Sequence, residues 1–186
     1  AEDVSDAEKN GLAPAMIDRL MLNPARLQMM ANDIKQLIKL PDPVGEQFDT
    51  RDIDESELHI FKQRVPLGVL AVIYEARPNV TLDSAGLAIK SGNAVILRGG
   101  KETIRSNRVL VEIIRYAMQS CGLDADGLQF IDDPDRKLLL DLLKLHEWID
   151  MVIPRGGNAL QNFCRENSTI PVITGGIGIC HLFVDE

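Results

Sequence analysis

The rhythm of apolar positions changes at Gly68. Before it, Pro14 to Leu40 carries a helical pattern, with Leu27, Met30, Ile34, Leu37 and Ile38 at three- and four-residue spacing predicting one apolar face. Pro14 suits a first helical turn, and Pro24 follows Asn23 as first helical residue and cap. Leu40-Pro41-Asp42-Pro43 stops that helix. Residues 56–65 (SELHIFKQRV) predict an extended strand, in which Leu58, Ile60 and Gln63 mark an imperfect alternation.

Beyond Gly68, short apolar runs alternate with helical stretches. Val69–Tyr74 (VLAVIY) and Ala94–Leu97 (AVIL) have the continuous β-rich character of strands buried in parallel sheets. Asn79–Lys90 predicts a helix ending at Gly92. Residues 105–120 predict a longer one, with Val109, Ile113, Ala117 and Cys121 on its apolar side and Gly122 closing it. Further strands are expected at Leu128–Ile131, Met151–Ile153, Val172–Thr174 and Cys180–Val184, and helices at Pro134–Lys144 and Asn158–Arg165. The leucine run Leu138–Leu145 reads as core. Strand then helix, repeated, predicts an α/β sheet with right-handed crossovers.

Composition leaves this picture intact. Hydrophobic residues make up 45% and charged residues 26%, an ordinary globular balance, and 186 residues suffice for one sizeable core. A net charge of -8 does not suit nucleic acid, whose phosphates need a basic face, yet it permits a local basic pocket. Cys121, Cys164 and Cys180 form no CxxC and no metal pattern with His59, His146 or His181, which predicts reduced thiols. His181 alternates along its expected strand as a core or site residue. No run approaches the roughly twenty apolar residues of a bilayer span. The expectation is a soluble cytoplasmic protein without nucleic-acid or membrane partners.

Ligands in open α/β sheets bind beyond the carboxyl ends of the strands. Three loops lie at such ends: Glu75-Ala76-Arg77-Pro78-Asn79, Arg98-Gly99-Gly100-Lys101-Glu102, and Pro154-Arg155-Gly156-Gly157-Asn158. In the last two, glycines let backbone approach a ligand and the flanking cations can neutralise phosphate. Plain turns with solvated basic residues are the alternative. Neither loop matches G-x-G-x-x-G or the Walker pattern. Thr174-Gly175-Gly176-Ile177-Gly178 reads either as a further ligand turn or as a tight connection between strands.

At these loops the sequence resembles a known family. Arg64 to Glu102 (RVPLGVLAVIYEARPNVTLDSAGLAIKSGNAVILRGGKE), Ile149–Gly157 (IDMVIPRGG) and Ser168–Glu186 (STIPVITGGIGICHLFVDE) are similar to signature blocks of the γ-glutamyl phosphate reductases. The segments NGLAPAMIDRL and DPVG fit as well, so the resemblance covers essentially the whole chain. It implies NADPH-dependent reduction of L-glutamyl 5-phosphate to L-glutamate 5-semialdehyde and phosphate, the second step of proline synthesis from glutamate. The implied fold is the Rossmann-like cofactor-binding domain of the aldehyde dehydrogenase fold with part of a bridging region. Residues 1–55 would be a helical segment, 56–66 the bridging strand region and 67–186 the NADP-binding domain. The catalytic domain and its nucleophilic cysteine would lie outside this chain, leaving it inactive alone. Glutamate 5-kinase and a homo-oligomer are the implied partners.

The resemblance also implies roles. NADPH would be held by Arg98, Gly99, Gly100, Lys101, Glu102, Arg155, Gly156, Gly157, Thr174, Gly175 and Gly176. Aldehyde dehydrogenases carry an oxyanion-binding asparagine in the loop matching Arg77-Pro78-Asn79; gap-free alignment puts Arg77 there, with Asn79 two residues later. A thiolate would attack the acyl phosphate and form a thioester that hydride reduces. Hydrolytic relatives place a water-activating glutamate where this chain has Ile173. Two other readings stay open: a non-catalytic nucleotide-binding or interaction module, and an oxidising aldehyde dehydrogenase.

Overall fold

A computed structural model describes residues 2–53, 57–176 and 181–184. Helices α1 (Glu2–Lys9), α2 (Pro14–Leu20) and α3 (Pro24–Lys39) lead into an antiparallel ribbon, β1 (Gln47–Ile53) and β2 (Leu58–Gln63). Then come β3 (Val69–Tyr74), α4 (Pro78–Lys90), β4 (Ala94–Arg98), α5 (Ile104–Ser120), β5 (Leu128–Phe130), α6 (Arg136–Leu142), β6 (Met151–Arg155) and α7 (Asn158–Asn167). The main sheet is parallel with order β5-β4-β3-β6, and Val172 adds a parallel bridge to Val152 beyond β6.

Alternation along β3 sorts the core into two layers. Leu70, Val72 and Tyr74 pack against Ala85 and Ala88 of α4 and Val111, Ile114 and Met118 of α5. Ala71 and Ile73 face the other way, toward Leu139, Leu142 and Leu143, Val152, and Cys164 of α7. Helices therefore cover both faces of an open sheet, as the α/β expectation requires. The expected proline-led helices begin at Pro14 and Pro24, and Asn23 caps α3 through its side-chain oxygen, which accepts from the Arg26 N–H at 2.8 Å.

Several expectations need correction. On α5 the buried stripe is Asn107, Val111, Ile114 and Met118, whereas Val109 and Ile113 are more than half exposed and Ala117 and Cys121 are exposed too. Two apolar stripes share this helix, and a polar residue, Asn107, marks the inward one. On α3, Met30 is buried and Ile34 and Leu37 are half-buried, while Leu27 and Ile38 face solvent. In the leucine run only Leu139, Leu142 and Leu143 are buried. Residues 1–55, expected to be helical, end in strand β1. Val172–Thr174 forms the single bridge and no full strand, residues 181–184 are exposed and unpaired in any strand, and Cys180 lies outside the described residues.

Helix α1, which the apolar pattern does not predict, positions the start of α5. Asp3 is buried and accepts from the Ser106 N–H at 2.8 Å and its hydroxyl at 2.6 Å, meeting unpaired donors in the first turn of α5. Ala7 of α1 and Leu20 of α2 then pack on Ala76 in the loop after β3. That contact carries the end of α2 to the carboxyl edge of the sheet.

Candidate functional site

The chain runs from β3 to β4 in one direction and returns to β6 on the other side, so its order reverses between β3 and β6. Loops diverge at such a point and leave a crevice. Here it is a cavity of about 630 Å³. The loop after β3 supplies Glu75 and Arg77, β6 and its loop supply Arg155, Gly156 and Gly157, and Thr174, Gly175 and Gly176 close one side. Arg19 reaches it from the last turn of α2.

Glu75 bridges the crevice. Its Oε2 accepts from the Gly157 N–H at 3.1 Å, and its own N–H donates to the Arg155 carbonyl at 3.3 Å. A Cβ on Gly156 would lie 2.6 Å from the Glu75 carboxyl carbon, so glycine there leaves room for this carboxylate. Arg77 precedes Pro78, which opens α4 as its first residue. Asn79 is turned elsewhere: it donates to Asp83 at 3.2 Å and lines a second cavity of about 290 Å³ beneath α2 and α3. Burial pushes the Asp83 carboxyl up, against the opposing hydrogen bond from Asn79.

The Arg98–Glu102 loop sits one strand away and does not line the crevice. The Arg98 guanidinium turns toward the loop before α6, donating to the Pro134 carbonyl at 3.1 Å, while its Nε is buried without a partner among the described residues. Burial, and then the neighbouring Arg136 charge, hold this cation below its ordinary pKa. Lys101 is exposed and makes no ion pair among the described residues.

Beneath that loop runs a buried relay. Asn107 Nδ2 donates to the Thr103 hydroxyl at 2.9 Å, which donates to the Gly100 carbonyl at 3.2 Å. Thr81 donates to Asn107 Oδ1 at 2.9 Å, so its proton is committed and Tyr74 must be the donor in their 2.6 Å contact. Burial pushes the Tyr74 phenol up to about 12, keeping it in the donor form. A Cβ on Gly99 would fall 2.2 Å from Asn107 Nδ2. Close packing over the relay is thus a reason for glycine at 99 that does not involve a ligand.

The structure therefore brings the first loop, the third loop and the Thr174 turn to one crevice, and leaves the second loop beside it. Arg19 and the relay were not legible as site features in the sequence. Arg19 lies in the NGLAPAMIDRL segment, but nothing local there says that a helix end packs across the sheet edge. The two described cysteines do not line the crevice: Cys164 is buried, with burial pushing its thiol up to about 11, and Cys121 is exposed at the end of α5. His59 and His146 are exposed, and no group of three or more His, Cys, Asp or Glu among the described residues can hold a metal. No helix among them is long and apolar enough to cross a membrane.

No protein-family model matches the chain. The γ-glutamyl phosphate reductase of Escherichia fergusonii is 59% identical over all 186 residues, which span 44% of that protein. The solved structure of γ-glutamyl phosphate reductase from Thermotoga maritima superposes with a TM-score of 0.92 at 43% identity, covering 99% of this chain and 44% of that one. An acetylating aldehyde dehydrogenase from Geobacillus thermoglucosidasius shares the fold at 21% identity and a TM-score of 0.64, over 77% of this chain and 30% of its own. The chain, with its crevice at the reversal of an open parallel sheet, belongs to the γ-glutamyl phosphate reductase family of the aldehyde dehydrogenase fold and spans about 44% of the length of the curated relatives it matches.

Proposed function

We propose that the full-length protein reduces L-glutamyl 5-phosphate with NADPH to L-glutamate 5-semialdehyde and phosphate, the second step of proline synthesis from glutamate. This chain supplies the cofactor site and one wall of the substrate site. The observation that carries this reading is the crevice, where Arg19, Arg77 and Arg155 gather around a glycine pair in a chain of net charge -8.

Those residues fit a phosphorylated dinucleotide. Gly156 and Gly157 permit backbone approach, and Gly157 caps α7 with no side chain over the first turn; Glu75 accepts the Gly157 N–H, so the first-turn N–H groups after it are the ones left to receive phosphate oxygens. Thr174, Gly175 and Gly176 form the opposite wall. Lys101, exposed and without an ion pair among the described residues, offers a donor beside it for the 2′-phosphate that distinguishes NADP from NAD, with Arg98, Gly99, Gly100 and Glu102 shaping that approach. When bound, the cofactor supplies hydride. Of the two residues expected to contact substrate, Arg77 lines the crevice, whereas Asn79 is paired with Asp83 and lines the neighbouring cavity, so the substrate-side role is assigned to Arg77. Cys164 is buried with its thiol pushed up, and Cys121 sits at the end of α5 outside the crevice lining, so the thiolate step is assigned to neither. Glutamate 5-kinase, which forms the acyl phosphate, and a second copy of the chain are the partners in this reading.

The test follows NADPH formation by the full-length protein from L-glutamate 5-semialdehyde, NADP and phosphate. Turnover is expected. Cofactor binding with no turnover would favour a non-catalytic nucleotide-binding module.

A further inference from the structure

We infer that Arg19 and Arg77 form an anion-recognition subsite for the amino-acid substrate, at the end of the crevice remote from the glycine pair. The inference rests on the reductase reading above and names which end of its site holds the substrate. Two cavities adjoin here, of about 630 and about 290 Å³, and Arg19 and Arg77 are the two residues that line both. The smaller cavity has no wall from the β6 loop, so the pair marks the side of the crevice away from Gly156 and Gly157.

Both guanidiniums are uncommitted. Arg26 pairs with Asp18, Arg105 with Asp6, Arg108 with Asp132 and Arg115 with Asp126, all at 2.7–3.0 Å. Arg19 and Arg77 make no ion pair among the described residues; the Arg19 side chain has one weak contact, with the Met16 sulfur at 3.9 Å. With Arg155, these two put three guanidiniums against one carboxylate, Glu75, on the crevice wall, a local excess of positive charge that an arriving anion would neutralise.

Their backbones are held firmly. Leu20, next to Arg19, is 1% exposed and Ala76, next to Arg77, is 4% exposed, and the two pack in one cluster. Anchored neighbours aim both side chains without burying them. L-Glutamyl 5-phosphate carries anionic oxygens at both ends, a phosphate and an α-carboxylate, and the planar fork of arginine matches either.

The test uses the full-length enzyme in the semialdehyde-oxidising direction, with Arg19→Met and Arg19→Lys beside wild type. Arg19 is exposed and makes no ion pair among the described residues, so neither variant should change thermal unfolding. The KM for one anionic reactant is expected to rise about tenfold or more in Arg19→Met and less in Arg19→Lys, with the KM for NADP unchanged. A rise for phosphate places the transferred phosphate on the pair; a rise for semialdehyde places the α-carboxylate there. A rise confined to NADP, or unchanged KM values with wild-type turnover intact, would overturn the inference while leaving the reductase reading standing. A wild-type enzyme inert toward semialdehyde would overturn that reading itself, and this inference with it.

Discussion

The Gly157 N–H donates to the Glu75 carboxylate across the crevice between β3 and β6, at 3.1 Å. A carboxylate thus holds the position where a helix N-terminus and a glycine pair would otherwise receive phosphate oxygens. Removing its charge while keeping its shape should favour an anionic ligand. Glu75→Gln is expected to tighten NADPH binding on the order of fivefold, most at low salt, because two charges about 4 Å apart in water repel by about 1 kcal/mol. Titration of NADPH fluorescence at two ionic strengths checks it. Weaker binding would mean that the carboxylate receives cofactor hydroxyls instead.

Arg98 and Lys101 are adjacent to the same glycine pair but differ in their commitments. Arg98 is tied to the Pro134 carbonyl, whereas Lys101 is exposed and unpaired among the described residues. Lys101→Ala should lower the preference for NADPH over NADH by roughly tenfold without changing stability, since a charge-assisted bond contributes about 1.5–3 kcal/mol. Arg98→Ala should lower both affinity and stability, the latter by about 1 kcal/mol as the Pro134 tie is lost. Paired cofactor titrations and urea unfolding separate the two. Equal wild-type affinity for NADH and NADPH would sink the 2′-phosphate assignment.

Most strands and helices beyond Gly68 are legible because the central strands are apolar runs such as VLAVIY and the helices are punctuated locally: α4 opens on Pro78 and stops just before Gly92, and α5 stops just before Gly122. The loops at the carboxyl ends follow from strand positions alone. What the sequence hides is non-local. The β3–β6 contact joins strands separated by two intervening strands, so the meeting of Glu75 with Gly157 depends on topology that no local pattern encodes. The inward face of α5 is hidden for a related reason: periodicity finds a stripe, but Asn107 is buried because it serves a relay, not because it is apolar.

That relay gives a stability prediction. Thr81→Val keeps shape but strips the hydroxyl that both accepts from Tyr74 and donates to Asn107. Leaving buried polar partners unsatisfied should cost about 1–3 kcal/mol in urea unfolding, more than Tyr74→Phe, which leaves the Thr81–Asn107 bond intact. Tyr74 adds an alkaline signature. Its folded value near 12 exceeds the ordinary 10, so the native state holds this proton more tightly than the unfolded chain. Stability should therefore fall as pH rises from 10 toward 12, and Tyr74→Phe should remove that component of the slope.

Ile173 lines the crevice with its side chain partly in solvent, and its N–H is fixed to the Val152 carbonyl at 2.9 Å. By resemblance, this is where hydrolytic aldehyde dehydrogenases carry a glutamate that activates water against the thioester. An isoleucine neither accepts a proton nor holds a water. Glu75 is the one carboxylate on the described cavity wall, and it is engaged by the Gly157 N–H. General-base assistance is worth on the order of 10²–10⁴ in rate, so its absence protects an acyl intermediate until hydride transfer or phosphate intervenes. The full-length enzyme, run backwards, should then oxidise the semialdehyde only when phosphate is supplied as acceptor. Ile173→Glu should introduce a phosphate-independent rate that rises with pH as the new carboxylate ionises. Following NADPH formation with and without phosphate checks both. Comparable wild-type turnover without phosphate would mean that another group activates water, with Glu75→Gln the variant to identify it, and the phosphorylating assignment would fail.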